Sequence, residues 1–153
     1  MNHSLQTTLV RSPFGLIKVQ HEGMTLRRVS VDANSVLKDS EGDRCVIDQF
    51  QAYFDDASHP FRFDCHSRGT AYQTRVWKAL GDIPVGETQT YGQLAKRLGS
   101  GPRAVAQACR TNPLPVVVPC HRVVSATGVG GYMGTTTGPA MAIKHWLLSH
   151  ERG

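Results

Sequence analysis

Residues 90–124 read TYGQLAKRLGSGPRAVAQACRTNPLPVVVPCHRVV, and this stretch decides how the second half of the chain folds. Thr90 suits the N-cap of a short helix, Tyr91–Leu98, because a threonine hydroxyl can accept from a backbone N–H that the helix start leaves unpaired. Gly99, Ser100 and Gly101 then force a tight turn. Pro102 fits the first position of another helix, where its missing N–H is not needed and its fixed φ is already helical. That helix spans Pro102–Arg110. Helix, glycine turn and second helix together outline a helix-turn-helix. Asn112, Pro113, Leu114 and Pro115 block further helix. Val116, Val117 and Val118 follow as a buried apolar run that delivers Pro119, Cys120, His121 and Arg122.

Working outward, the spacing predicts a helix over 70–80, with Val76, Trp77 and Leu80 on its buried side and Gly81 ending it. Downstream, a glycine-rich loop at 128–138 leads into a last helix beginning near Pro139. Ile143, Trp146, Leu147 and His150 share one of its faces, and Glu151 lies at its end. At helical spacing, Trp77 and Trp146 read as core residues, and His145 and His150 as surface or packing residues. The first half reads differently. Short β-prone runs at 7–10, 16–21 and 26–31 alternate with turn residues. A helix over 43–54 places Val46, Ile47, Phe50 and Phe54 at helical spacing, and 61–65 is a further extended run. The predicted class is therefore α/β in the α+β sense. A small N-terminal subdomain of sheet plus helix (1–69) packs on a mostly helical C-terminal subdomain (70–153) that holds the helix-turn-helix.

Charge divides along the same line. Residues 1–69 carry eight Lys/Arg against nine Asp/Glu, whereas 70–153 carry nine against three. A basic, acid-poor half suits an anionic partner, nucleic acid foremost. The start of the chain lacks the apolar stretch of a signal peptide, and no run approaches the roughly 18 apolar residues of a membrane span. These features point to a cytoplasmic, reducing setting, nucleoid-associated in a prokaryote, where Cys45, Cys65, Cys109 and Cys120 stay free of disulfides. With no CxxC pair among them, a structural zinc site is not expected. Cys45 and Cys109 read as small buried hydrophobes on helix faces.

Cys120 is the residue whose surroundings suggest chemistry. A thiol attacks as thiolate, so a reactive cysteine needs a base or positive charge nearby. His121 and Arg122 are adjacent, and Glu151 is a candidate to orient the imidazole and complete a Cys–His–acid relay. Adjacency alone is better explained by a buried cysteine beside a surface His-Arg pair. The context argues otherwise. Pro113, Pro115 and Pro119 fix the approach to Cys120, and Gly128, Gly130, Gly131 and Gly134 around Tyr132 let backbone come close to a flat ligand. Together they describe a shaped pocket.

Here the chain resembles a known family. The segment 112–124, NPLPVVVPCHRVV, is similar to the active-site signature of the O6-alkylguanine-DNA alkyltransferases. TYGQLA at 90–95, PRAVAQA at 102–108 and WLLSHE at 146–151 follow in the family's order, while the first half fits more loosely. The resemblance implies direct-reversal repair. The alkyl group of O6-alkylguanine, with O4-alkylthymine as a related substrate, passes irreversibly from a flipped-out base in double-stranded DNA to Cys120. No cofactor, metal, membrane or obligate protein partner is implied. His121, through a water, and Glu151 would withdraw the thiol proton, and Asn112 would brace the active-site segment against the helix-turn-helix. Tyr91 would press on the phosphate that turns the nucleotide out, and Arg103 would wedge into the base stack. Tyr132 would donate to the guanine as the alkyl bond breaks. Pro115, the Val123 carbonyl and the Met133 N–H would form the base pocket. Lys96, Arg97, Arg110 and Arg122 complete the expected DNA-contacting set as sequence-neutral cations. Met133 is bulky where relatives often carry small or polar residues, which bears on the range of alkyl groups. Competing readings are a lesion binder without transfer, a Cys–His hydrolase and a sequence-specific regulator.

Overall fold

A computed structural model describes residues 4–66 and 68–153. The chain divides into two compact units, residues 1–68 and 69–153, and among the described residues it has a small N-terminal sheet and five α-helices.

In the first unit, β1 (Gln6–Ser12), β2 (Gly15–Glu22) and β3 (Thr25–Asp32) form an antiparallel meander, and β4 (Asp64–Cys65) adds in parallel to β3. Alternation along the strands turns Val10, Ile17, Val19, Leu26 and Val29 inward. Helix α1 (Arg44–Asp55) starts at Asp43, whose carboxylate accepts from the N–H groups of Cys45 and Val46. It buries Val46, Ile47, Phe50 and Tyr53. Phe54, expected on that stripe, is only half-buried, with its ring 5.7 Å edge-on from Phe14. Cys45 is exposed rather than buried, because it precedes the stripe by one residue and so sits about 100° around the helix. Fully buried His21 stands at a register shift in the β2–β3 pairing. Its Nδ1 donates to Gly23 O at 2.9 Å, so Nε2 accepts from the Thr8 hydroxyl at 2.7 Å. Thr8 Oγ1 in turn accepts from the Asp43 N–H.

The second unit is built around α2 (Ala71–Gly81), α3 (Tyr91–Leu98), α4 (Pro102–Arg110) and α5 (Pro139–Arg152). Thr70 and Thr90 are the N-caps of α2 and α3, each in a reciprocal capping box with the glutamine three residues on. Gly99 closes α3 at φ +65°, a left-handed conformation that costs a side-chain-bearing residue but not glycine. Pro102 opens α4 as expected. Helix α2 supports both arms of the helix-turn-helix. Arg75 donates to Leu98 O, Tyr72 hydrogen-bonds Ser100 in the turn, and buried Trp77 donates from its indole to Ala108 O at 2.8 Å.

Two features depart from the sequence reading. A two-residue strand, β5 (Gln89–Thr90), pairs in parallel with β6 (Val123–Val124) and ties the start of α3 to the segment after Cys120. The run Val116–Val118, read as a buried apolar stretch, is a turn in which Val116 is buried and Val117 and Val118 are half-buried. Val118 N–H donates back to Leu114 O at 2.8 Å, and Val116 takes φ +75°. Asn112 explains the turn: its Oδ1 accepts from Leu114 N–H, and its Nδ2 donates to Val118 O, each at 2.9 Å. With three prolines denying donors to a ladder, the side chain takes over the work of backbone pairing.

Candidate active site

The turn delivers Cys120 to the start of a single 3-10 turn, Cys120–Arg122, where it is 6% exposed. It forms part of the wall of a cavity of about 260 Å³, together with Tyr91, Cys109, Arg110, Tyr132 and Met133. Burial pushes the Cys120 thiol up. The nearby Asn112 amide, the charge of Lys144 and the Tyr132 hydroxyl oppose that rise.

Behind the thiol lies a buried charged cluster. His121 is fully buried, and its Nε2 sits 2.9 Å from Glu151 Oε2 in the last turn of α5. Arg122 grips the same carboxylate with two donors, Nε to Oε1 at 2.8 Å and Nη2 to Oε2 at 2.9 Å. Its remaining arm donates to Ile83 O. An ionised carboxylate only accepts, so His121 must carry its proton on Nε2. The other ring nitrogen, Nδ1, is buried and has no partner among the described residues. Burial pulls the His121 pKa down, and Arg122 and Lys144 add to that, while Glu151 opposes it. The resting cluster therefore combines a neutral imidazole with an un-ionised thiol.

Lys144, on the same helix as Glu151, is the largest element that the sequence reading missed. It is fully buried, and Nζ donates to Val123 O and Gly131 O, both at 2.7 Å. Burial lowers its pKa from 10.5 to about 8. It joins the active-site strand to the glycine-rich loop and places a positive charge near both Cys120 and Cys109. A signal existed: Met141, Lys144, Leu148 and Glu151 recur at helical spacing on the buried side of α5.

A family model described as 6-O-methylguanine DNA methyltransferase, DNA binding domain, matches residues 71–153. The chain belongs to that family. A probable methylated-DNA–protein-cysteine methyltransferase of Acanthamoeba polyphaga mimivirus is 32% identical over 97% of this chain and 97% of its own length. The methylated-DNA–protein-cysteine methyltransferase of Methanosarcina mazei is 42% identical over 71% of this chain and 67% of its own. Among solved structures, the Mycobacterium tuberculosis O6-methylguanine methyltransferase is similar with a TM-score of 0.80 at 34% identity, covering 99% of this chain and 93% of that one. The DNA complex of the same bacterium's protein has a TM-score of 0.75 at 33% identity, covering 94% and 91%.

Within this family member, the anticipated site residues separate into three groups. Cys120, Tyr91, Tyr132, Met133 and Arg110 share the cavity. Tyr132 is 3% exposed, and half-buried Tyr91 directs its hydroxyl towards Gly131 O at 3.5 Å. Met133 is 40% exposed, at φ +52°. Next to it, Gly134 lies so close to Arg110 that a Cβ there would stand 2.9 Å from Nε. His121, Glu151 and Asn112 are not among the residues lining the cavity; the first two form the buried pair beside Cys120, and Asn112 holds the turn before it. Pro115 and Val123 are buried and do not line the cavity either, and the Val123 carbonyl is taken up by Lys144. On the outer surface, Arg103 is exposed in the first turn of α4, and Lys96 is exposed on α3. Arg97 is exposed as well but reaches Asp82 at 3.2 Å. Arg122 is the correction. Expected among the DNA-contacting cations, it is turned inward because Glu151 and Ile83 O occupy all three of its nitrogens.

No helix among the described residues is long and apolar enough to cross a membrane. No group of His, Cys, Asp and Glu among them is arranged to hold a metal ion.

Proposed function

We propose that this chain repairs duplex DNA by direct reversal, moving the alkyl group of O6-alkylguanine to Sγ of Cys120 once per molecule. The observation that carries the reading is the buried thiol in a cavity wall, followed by a histidine whose Nε2 is committed to Glu151 while Nδ1 is left open. As the base docks, the thiol proton passes to Nδ1, directly or through one water. Sγ then forms a bond to the alkyl carbon, the C–O6 bond breaks, and its electron pair stays on guanine. The Tyr132 hydroxyl, in the same cavity, stabilises that developing charge by donating to the base. Lys144 holds two carbonyls in the cavity's surroundings and favours the thiolate. The product is a thioether, and nothing in the site offers chemistry to release it.

A base inside a duplex cannot reach an enclosed thiol, so the nucleotide must leave the stack at a cost of a few kcal/mol. Arg103 at the exposed start of α4 suits the wedge that fills the gap, because a guanidinium plane can stack and still face phosphate. Tyr91 suits the contact that turns the phosphate, and Lys96, Arg97 and Arg110 suit sequence-neutral backbone contacts. In this reading residues 70–153 bind DNA and carry the chemistry, and 1–69 are scaffold. Four free cysteines suit a reducing, cytoplasmic compartment.

The direct test is mass spectrometry of the intact protein and its peptides after incubation with a duplex containing O6-methylguanine. One methyl on the Cys120 peptide, saturating at one per protein, is expected. Tight retention on that duplex with no change in mass would indicate a lesion binder instead.

A further inference from the structure

The inward turn of Arg122 leaves a buried cation for which the transfer scheme has given no work. Its surroundings define that work. The 3-10 turn contributes Cys120 and His121, and α5 contributes Glu151 and Lys144. Arg152 on α5 donates from Nε to Leu148 O, and Glu87 is exposed in the loop before β5. The buried residues of α2 (Val76, Trp77, Ala79 and Leu80) bring no titratable group.

We propose, resting on the transfer reading above, that Arg122 is a positioning residue of the relay. Its two-point grip on Glu151 keeps the carboxylate ionised and accepting, and so reserves Nδ1 of His121 for the Cys120 proton. The reasoning turns on what the carboxyl does without it. Glu151 has a side chain only 2% exposed, a setting in which a lone carboxylate takes up a proton. A protonated Glu151 is a donor. It would donate to Nε2 and force the imidazole proton onto Nδ1, the one nitrogen that must be empty to accept from the thiol. The geometry of the grip excludes that state. Both carboxylate oxygens are engaged by nitrogens within 2.9 Å, and Ile83 O anchors the guanidinium from its far side. Arg122 also opposes the imidazolium, so thiol and imidazole stay neutral until the base arrives.

The test compares single-turnover transfer from an O6-methylguanine duplex by the wild type and Arg122→Met between about pH 6 and about pH 9, the span over which a perturbed relay base titrates. In the variant, Glu151 holds a proton at the acid end and releases it as the pH rises. The ratio of wild-type to variant rate should therefore be about tenfold or more at the acid end and shrink with rising pH, since one pKa unit is a tenfold change. A ratio that is constant across the range would mean a merely structural role and overturn the proposal. Should Arg122→Met fail to fold, Arg122→Lys carries the same test. A lysine keeps the charge with one contact instead of two, so its deficit should be smaller and of the same pH sense, and a constant deficit overturns the idea equally. A wild type that transfers no alkyl group sinks the transfer reading itself, whereas transfer with a constant ratio sinks only the role of Arg122.

Discussion

Two thiols line one cavity from different walls, and the contrast between them shows what makes a cysteine a nucleophile here. Cys109 lies in α4, the second arm of the helix-turn-helix, and Cys120 opens the 3-10 turn after the proline-rich segment. Burial pushes both thiols up, and each feels the charge of Lys144. For Cys109 burial, then the neighbouring Cys120, drives the pKa to about 12, and only Lys144 opposes. Cys120 also has the Asn112 amide and the Tyr132 hydroxyl nearby to oppose the rise, and an adjacent imidazole with an empty Nδ1. A place on the cavity wall is common to both thiols. A route for the proton belongs to one.

The largest effect expected from this contrast comes from Cys120→Ser. Alkyl transfer to the protein should disappear, with no methyl found on Cys109, while retention of the lesion duplex in a gel-shift assay persists. A methylated Cys109 peptide in that variant would break the comparison, because it would show that any thiol lining the cavity suffices.

Much of this arrangement was written in local signals. Thr90, Gly99 and Pro102 act through the backbone within a turn of themselves, so they marked both helices and the turn without knowledge of the rest of the chain. Cys120 stood out as the candidate nucleophile because prolines and glycines crowd around it on both sides. What stayed hidden depends on partners distant in sequence. The two-residue strands β5 and β6 exist only because each finds the other across more than thirty residues. The turn at Val116–Val118 depends on the Asn112 side chain, which no periodicity announces. Arg122 and Lys144 were misplaced or passed over because charged residues ordinarily stay in water. A carboxylate twenty-nine residues away and two inward-facing carbonyls reverse that rule. The resemblance implied Pro115 and the Val123 carbonyl for the base pocket; neither residue is among those lining the cavity, and that carbonyl accepts from Lys144.

The outer wall should show an intermediate effect. Arg103→Ala should slow repair of duplex DNA by about tenfold or more, the order of a lost contact that helps unstack a base. Reaction with free O6-benzylguanine, which needs no flipping, should change little. Measured side by side, equal losses on the two substrates would place Arg103 in the chemistry and remove it from the wedge.

The smallest effect tests the other thiol in the absence of DNA. Cys109 has its pKa raised from 9.0 to about 12 in the folded chain, so between these values the folded state keeps a proton that the unfolded state has released. Its contribution to stability is fully present below about pH 9 and is lost as the pH rises towards about 12, by about 1 kcal/mol per pH unit while the gap persists. Cys109→Ala removes that contribution, at a cost near neutrality of about 1 kcal/mol for the lost packing. Urea-unfolding midpoints taken at rising alkaline pH should thus fall less steeply for the variant than for the wild type. Tyr91, also pushed up to about 12, and Cys120, raised by burial, remain in both proteins, so a residual slope is expected in each. Two parallel slopes would mean that Cys109 ionises as freely in the cavity as in water. In that case burial would not be what silences it, and the difference between the two walls would rest on the relay alone.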